Sequence, residues 1–217
     1  MTMTAALRRF TVTTHVTSSV GWVGAVLVFV ALAGIGLTSG DDRVVRGAYL
    51  LMAPAAWLVL VPLAHASLLS GVLLSLGTAW GLFRHYWVAL KLAITAFATV
   101  ILLIYMGTFR QMAGVAADPM VELGLVRNPS PLVHAILALV LLVVATVLAI
   151  YKPFGMTPYG SRQLATERTG TPAAGAAAAI ATQGSSFGWL YLVAALAGLL
   201  FLALFLAHHF AGNAPPH

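Results

Sequence analysis

Cysteine is absent from the 217 residues, and charge nearly so: 11 Lys or Arg and 5 Asp or Glu make up 7% of the chain. The first absence excludes disulfides, thiolate metal sites and a cysteine nucleophile. The second excludes a soluble globular fold, in which about a quarter of residues are charged. Also missing are the HExxH, GxSxG and GKS/T signatures, and all five carboxylates lie between apolar runs, so hydrolysis at membrane depth has no acidic group to use. What is present is hydrocarbon: 61% of residues are apolar and mean hydropathy is +0.98. Most of them fall in runs of roughly twenty, the length that crosses a core about 30 Å thick. The net charge of +6 is scattered between these runs. Such scatter sets membrane orientation and is not a nucleic-acid surface. Nine arginines to two lysines, with abundant alanine, point to a GC-rich bacterial genome.

The pattern predicts an all-α, polytopic membrane helix bundle of five spans. The first covers about Val16 to Leu37. A signal peptide is the alternative for this segment, since Arg8 and Arg9 precede an apolar run ending Ala31-Leu32-Ala33, but the apolar character continues through Leu37. From Gly47 to Phe83 there are 37 residues without a formal charge, roughly 55 Å of helix. That is read as one long helix, about Leu50 to Leu76, bent near Pro54 or Pro62. The remaining spans are Trp87 to Gly107, Leu132 to Tyr151 and Phe187 to His209. The organisation is therefore a four-helix transmembrane region over 1–151, a flexible loop over 152–186, and a fifth helix with a short outer tail over 187–217. No long repeat or heptad register organises the chain.

Alternate connections differ in charge. Arg8, Arg9, Arg84, Lys91, Lys152, Arg162 and Arg168 share one side with Glu167, whereas Asp41 and Asp42 face Arg43 and Arg46 on the other, and Asp118 and Glu122 face Arg110 and Arg127. The basic side is cytoplasmic by the positive-inside rule, which places the N-terminus inside. Trp80, Phe83, Tyr86 and Trp87, then Tyr151, Phe154, Trp189 and Tyr191, form the inner aromatic belt. Lys152-Pro153 supplies a snorkelling cation and a helix stop. From Tyr159 to Ser186 the Ala, Gly, Thr and Ser content predicts a mobile loop with one marginal helical turn or two.

Histidines are the informative residues, because ionisable groups at membrane depth are costly. His15 begins the first span, His65 lies mid-way along the second, and His134 is just inside the outer end of the fourth. Two imidazoles facing each other at one depth would suit a b-type haem: His15 with His65, or His134 with His208 or His209. Each has a packing or hydrogen-bonding alternative, and His85 and the His208-His209 pair read as interfacial. The small residues Ser67, Gly71 and Ser75, Gly21 with Ala25, and Ala194 with Gly198 read as helix-packing faces within one bundle. Thr95 and Thr99 read the same way.

Two segments resemble known membrane families. His15-Val-Thr-Ser-Ser-Val-Gly-Trp22-Val-Gly24 resembles the opening helix of copper-resistance D-type proteins and of the bacterial haem-linked protoporphyrinogen oxidase, and Trp87-Val-Ala-Leu-Lys91-Leu92 resembles a lysine-bearing helix start in the same group. The resemblance implies haem binding or activity for His15 and Lys91 alone. It is incomplete, since Tyr105-Met106 stands where that group would have a further histidine. Gly77 to Trp87, with Tyr151-Lys-Pro-Phe-Gly155, is similar to uncharacterised multi-pass proteins of GC-rich bacteria, which implies no activity.

These readings lead to a multi-pass protein of a bacterial cell membrane, a non-enzymatic scaffold or accessory subunit without a cofactor. Its partners would be the bilayer and a membrane protein or a second copy, with no nucleic acid. The alternatives are a haem b-binding or redox protein using His15, His65, Lys91 and His134, and a transporter or channel. The last is disfavoured by the lack of a carboxylate within any span and of an inverted repeat.

Overall fold

The computed structural model describes residues 3–78, 81–153 and 155–169, with side-chain environments as far as residue 166. The fifth span, the rest of the loop, the outer tail, Ala194 with Gly198, and Trp80, Phe154, Trp189, Tyr191, His208 and His209 lie outside these residues.

The described chain is helical: α1 (Ala5–Thr38), α2 (Asp42–Ala55), a π turn (Ala56–Leu60), α3 (Val61–Gly77), α4 (Tyr86–Ala117), α5 (Leu123–Val126), α6 (Ser130–Tyr151) and α7 (Pro158–Thr169). Four helices in it, counting Asp42–Gly77 as one, are long and apolar enough to cross a membrane. Only 22–33% of the most apolar 18-residue window of each is buried. The rest, including Val20, Leu58, Leu69 and Ile150, faces outward. Such an apolar exterior requires a lipid solvent.

Local chemistry starts and stops these helices. Thr4 caps α1 by accepting from the Leu7 amide. Asp41 caps α2 by accepting from the Arg43 amide at 2.8 Å, and Asp42 adds a negative charge to the positive end of the dipole. Pro54 and Pro62 do not break the second span. Between them the chain widens into the π turn, in which the Val61 amide donates to Ala56 five residues back, so both proline rings fit a continuous helix. At Tyr151 the sequence Lys152-Pro153 ends α6 as expected. Lys152 turns left-handed at φ 44°, away from the helical region that a following proline disfavours.

Two boundaries run past the apolar spans. α1 begins eleven residues before Val16, and α4 continues ten beyond Gly107. Intrahelical hydrogen bonds do not stop where hydrophobicity does, and Phe109, Met112 and Ala116 are buried by neighbours. The segment after α6 is also more ordered than expected. Thr157 caps α7, and it donates from Oγ1 to Phe83 O at 2.6 Å and from its amide to Arg84 O at 2.9 Å. Pro158 at the helix start is the matching local signal.

The four long helices form a ring. α1 packs on α3 and α6, and α4 packs on α2, α3 and α6. Tyr49, Met52 and Met106 are fully buried within it. The small residues serve this packing: Gly21 faces Leu63 of α3, and Gly71 lies against His15 of α1. The amide of Met3 meets Gly77 O, and Thr157 meets Phe83 and Arg84. The N-terminus, the α3–α4 turn and the chain after α6 thus share one end of the bundle, as the alternating charges require.

Candidate polar centre between α1, α3 and α4

On α3, Ser67, Ser70, Gly71 and Leu74 recur at the spacing of a single helical face. Ser67 and Ser70 are buried there. His15 reaches this face from the third turn of α1. Its Nδ1 lies 3.0 Å from Ser67 O and 3.1 Å from Ser70 Oγ. Gly71 makes the approach feasible, since a Cβ there would meet His15 Cε1 at 3.0 Å. Ser19, one turn along α1, adds an Oγ–Oγ contact of 2.7 Å to Ser67.

These partners assign the tautomer. Ser70 Oγ donates to Ala66 O and Ser67 O, so towards His15 it is an acceptor. A carbonyl also only accepts, which puts the ring proton on Nδ1 and a lone pair on Nε2. Into that lone pair Lys91 of α4 donates, with Nζ 2.9 Å away. Thr95 Oγ1 donates back to Lys91 O at 3.0 Å, and Thr99 Oγ1 to Thr95 O at 2.8 Å. Both threonines are thus packing residues that close their hydrogen bonds within α4.

The pair separates two cavities. A groove of about 130 Å³ runs between α3 and α4 along Leu74, Ser75, Thr78 and Trp87. A larger one of about 500 Å³ runs between α1 and α6 along Val16, Val20, Trp22, Val143 and Ile150. His15, Ser67, Lys91 and Thr95 line both. No described carboxylate lines either groove. Asp41, Asp42, Asp118 and Glu122 belong to the opposite end, where Arg46 pairs with Asp42 at 2.9 Å.

His65 does not join this centre. It lies two residues, about 200° of helix rotation, from Ser67, and its Nδ1 bonds Val61 O of its own helix at 2.8 Å. His134 belongs to a second network at the other end. Its ring stacks on Tyr105 with centroids 4.2 Å apart, and Nδ1 lies 2.9 Å from Ser130 O. Tyr105 OH lies 2.6 Å from Ser130 Oγ. Tyr49 OH donates to Asn128 O at 3.0 Å and accepts from the Asn128 amide at 2.9 Å. Tyr105, which stands where the resembled families would carry a histidine, is thus held between His134 and Ser130. His85 stands at the start of α4, where its backbone carbonyl accepts from the Val88 and Ala89 amides.

A haem held by two imidazoles needs two nitrogens aimed at one iron. His65 and His134 each bond a carbonyl of their own helix through Nδ1, as ligating imidazoles also do, whereas both nitrogens of His15 are engaged and it offers no free one to an iron. Nor do the described residues include a cluster of three or more metal-ligating side chains. Of the four candidate residues, the structure brings together His15 and Lys91, which lie 76 positions apart in sequence. Sequence reasoning missed Ser19 and Ser70, whose only signal was their polarity within apolar runs. No family model, curated protein or solved structure matches this chain.

Proposed function

We propose that this chain is a non-enzymatic accessory subunit of a bacterial cytoplasmic membrane, with its N-terminus inside, that binds an amphipathic small molecule at His15 and Lys91. The observation that carries this reading is the 2.9 Å contact between Lys91 Nζ and His15 Nε2. A lysine within the span of a helix is costly unless paired. Here its partner is a neutral imidazole, which satisfies one of three ammonium donors and leaves the charge for a ligand. The proton directions oppose hydrolytic chemistry. His15 donates to Ser70 and cannot take its proton, and no described acid orients the ring.

The test uses protein purified in mild detergent from cells with ample haem. Wild-type protein is expected to show no stoichiometric Soret band, oxidised or dithionite-reduced, and to carry by native mass spectrometry a small molecule lost in Lys91→Met. A stoichiometric Soret band abolished by His15→Ala would replace this reading with the haem-binding one. Protein without any Lys91-dependent adduct would leave a scaffold with no ligand.

A further inference from the structure

The two grooves beside Lys91 differ in shape and lining. On α1 the larger groove is walled by Val16, Ser19, Val20 and Val23, and on α6 by Leu142, Val143, Thr146, Val147 and Ile150. The α1 set follows the i, i+3, i+4, i+7 stripe of one helix face, and α6 presents a broader face that also includes Ala145 and Ala149. The hydroxyls along it are closed off: Ser19 is bonded to Ser67, and Thr146 Oγ1 donates to Leu142 O at 2.8 Å. Its walls therefore present hydrocarbon, and its volume of about 500 Å³ lies within the roughly 300–1,000 Å³ of small-molecule sites. Val20 and Val143 are exposed, so among the described residues the groove opens sideways.

Polarity is confined to one end. His15 lies ten residues into α1, roughly 15 Å from the helix start, and Lys91 five residues into α4, roughly 7.5 Å from its start. Trp22 and Leu142 lie deeper, towards mid-height. A molecule in this groove would have its head at the depth of Lys91 and its tail pointing to the middle of the bundle. This is the arrangement of a lipid in the adjacent leaflet. One cation without a described carboxylate complements one negative charge on the head.

We infer that the α1–α6 groove seats a single-chain amphiphile, a long-chain carboxylate in chemical class, whose acidic oxygen meets Lys91 and whose tail lies between the two helices. This rests on the proposed binding function and names its ligand.

Trp22 lines the α1–α6 groove and Trp87 the α3–α4 groove, which makes tail position readable by fluorescence. The full chain, stripped of lipid in mild detergent, would be titrated with dibromostearic acid and with its methyl ester. The acid is expected to quench tryptophan fluorescence with affinity on the order of tenfold above the ester, the size of one charge-assisted hydrogen bond. That preference should vanish in Lys91→Met and return in Lys91→Arg. Quenching should be lost in Trp22→Phe and kept in Trp87→Phe. Val143→Trp, at an exposed position where folding is tolerant, should weaken the acid and the ester alike. Equal affinity for acid and ester in wild-type protein would overturn the ligand class, and quenching lost only in Trp87→Phe would overturn the groove. Preference for a brominated phosphatidylglycerol over the acid would overturn the single chain. In each of these cases a Lys91-dependent adduct in native mass spectra would keep the binding function standing. Its absence would remove both.

Discussion

Cations at the two ends of the bundle are used in opposite ways. At the end holding the α1–α2 connection, Arg46 pairs with Asp42 at 2.9 Å and donates to Asp118 O and Val121 O, each at 2.7 Å. Arg127 donates to Leu37 O at 2.8 Å and Ser39 O at 2.7 Å. Leu37, Ala116 and their neighbours are the ends of α1 and α4, where carbonyls lack intrahelical partners. The guanidinium forks satisfy these carbonyls and join helices distant in sequence. At the other end Lys91 meets a neutral imidazole, in a wall between two cavities. A cation that saturates backbone acceptors is a fastener, whereas one held against a neutral ring retains charge that a ligand can use.

The comparison can be broken or sharpened by substitution, with stability followed by thermal or denaturant unfolding in detergent. The largest effect is expected for Arg127→Ala, which strips two charge-assisted hydrogen bonds from the end of α1 and should cost about 2–3 kcal/mol. It should leave Lys91-dependent binding intact, and an equal loss of binding would show that the two ends are not separable. His15→Ala should come next, at about 1–2 kcal/mol, because Lys91 loses its acceptor. Lys91→Met should change stability by less than about 1 kcal/mol, since it removes a cation without a carboxylate partner. In His15→Ala/Lys91→Met the cost should fall below the sum of the single changes, with a coupling of roughly 1 kcal/mol. Strict additivity would deny the contact. A loss of about 1 kcal/mol is expected for Tyr105→Phe, from the hydrogen bond to Ser130. The stack on His134 should survive, because the ring remains.

Much of the fold is local and could be read from residue order. Hydropathy is a sum over neighbours, so the apolar runs mark α1, the α2–α3 helix, α4 and α6. Lys152-Pro153 marks the end of α6, and Pro54 with Pro62 the irregularity between α2 and α3. The candidate site was only partly readable. His15 stood out because ionisable groups are expensive in lipid, but the same rule singled out His65 and His134, and Lys91 was a candidate only through the resemblance of its helix start. Which histidine meets the lysine depends on helix rotation and on Gly71 leaving space, and neither can be inferred from the residue itself.

Composition and order alone determined that this chain is a helical membrane protein, because only apolar runs of this length suit hydrocarbon and only helices satisfy their own backbone there. Tertiary structure decided the rest: the tautomer of His15, the turning of His65 to Val61, the docking of Thr157, and the arginines that fasten helix ends. These bonds use backbone carbonyls, which every residue carries, or side chains 52 to 90 positions apart. Their selection belongs to the packing of helices against each other, which no single stretch of sequence contains.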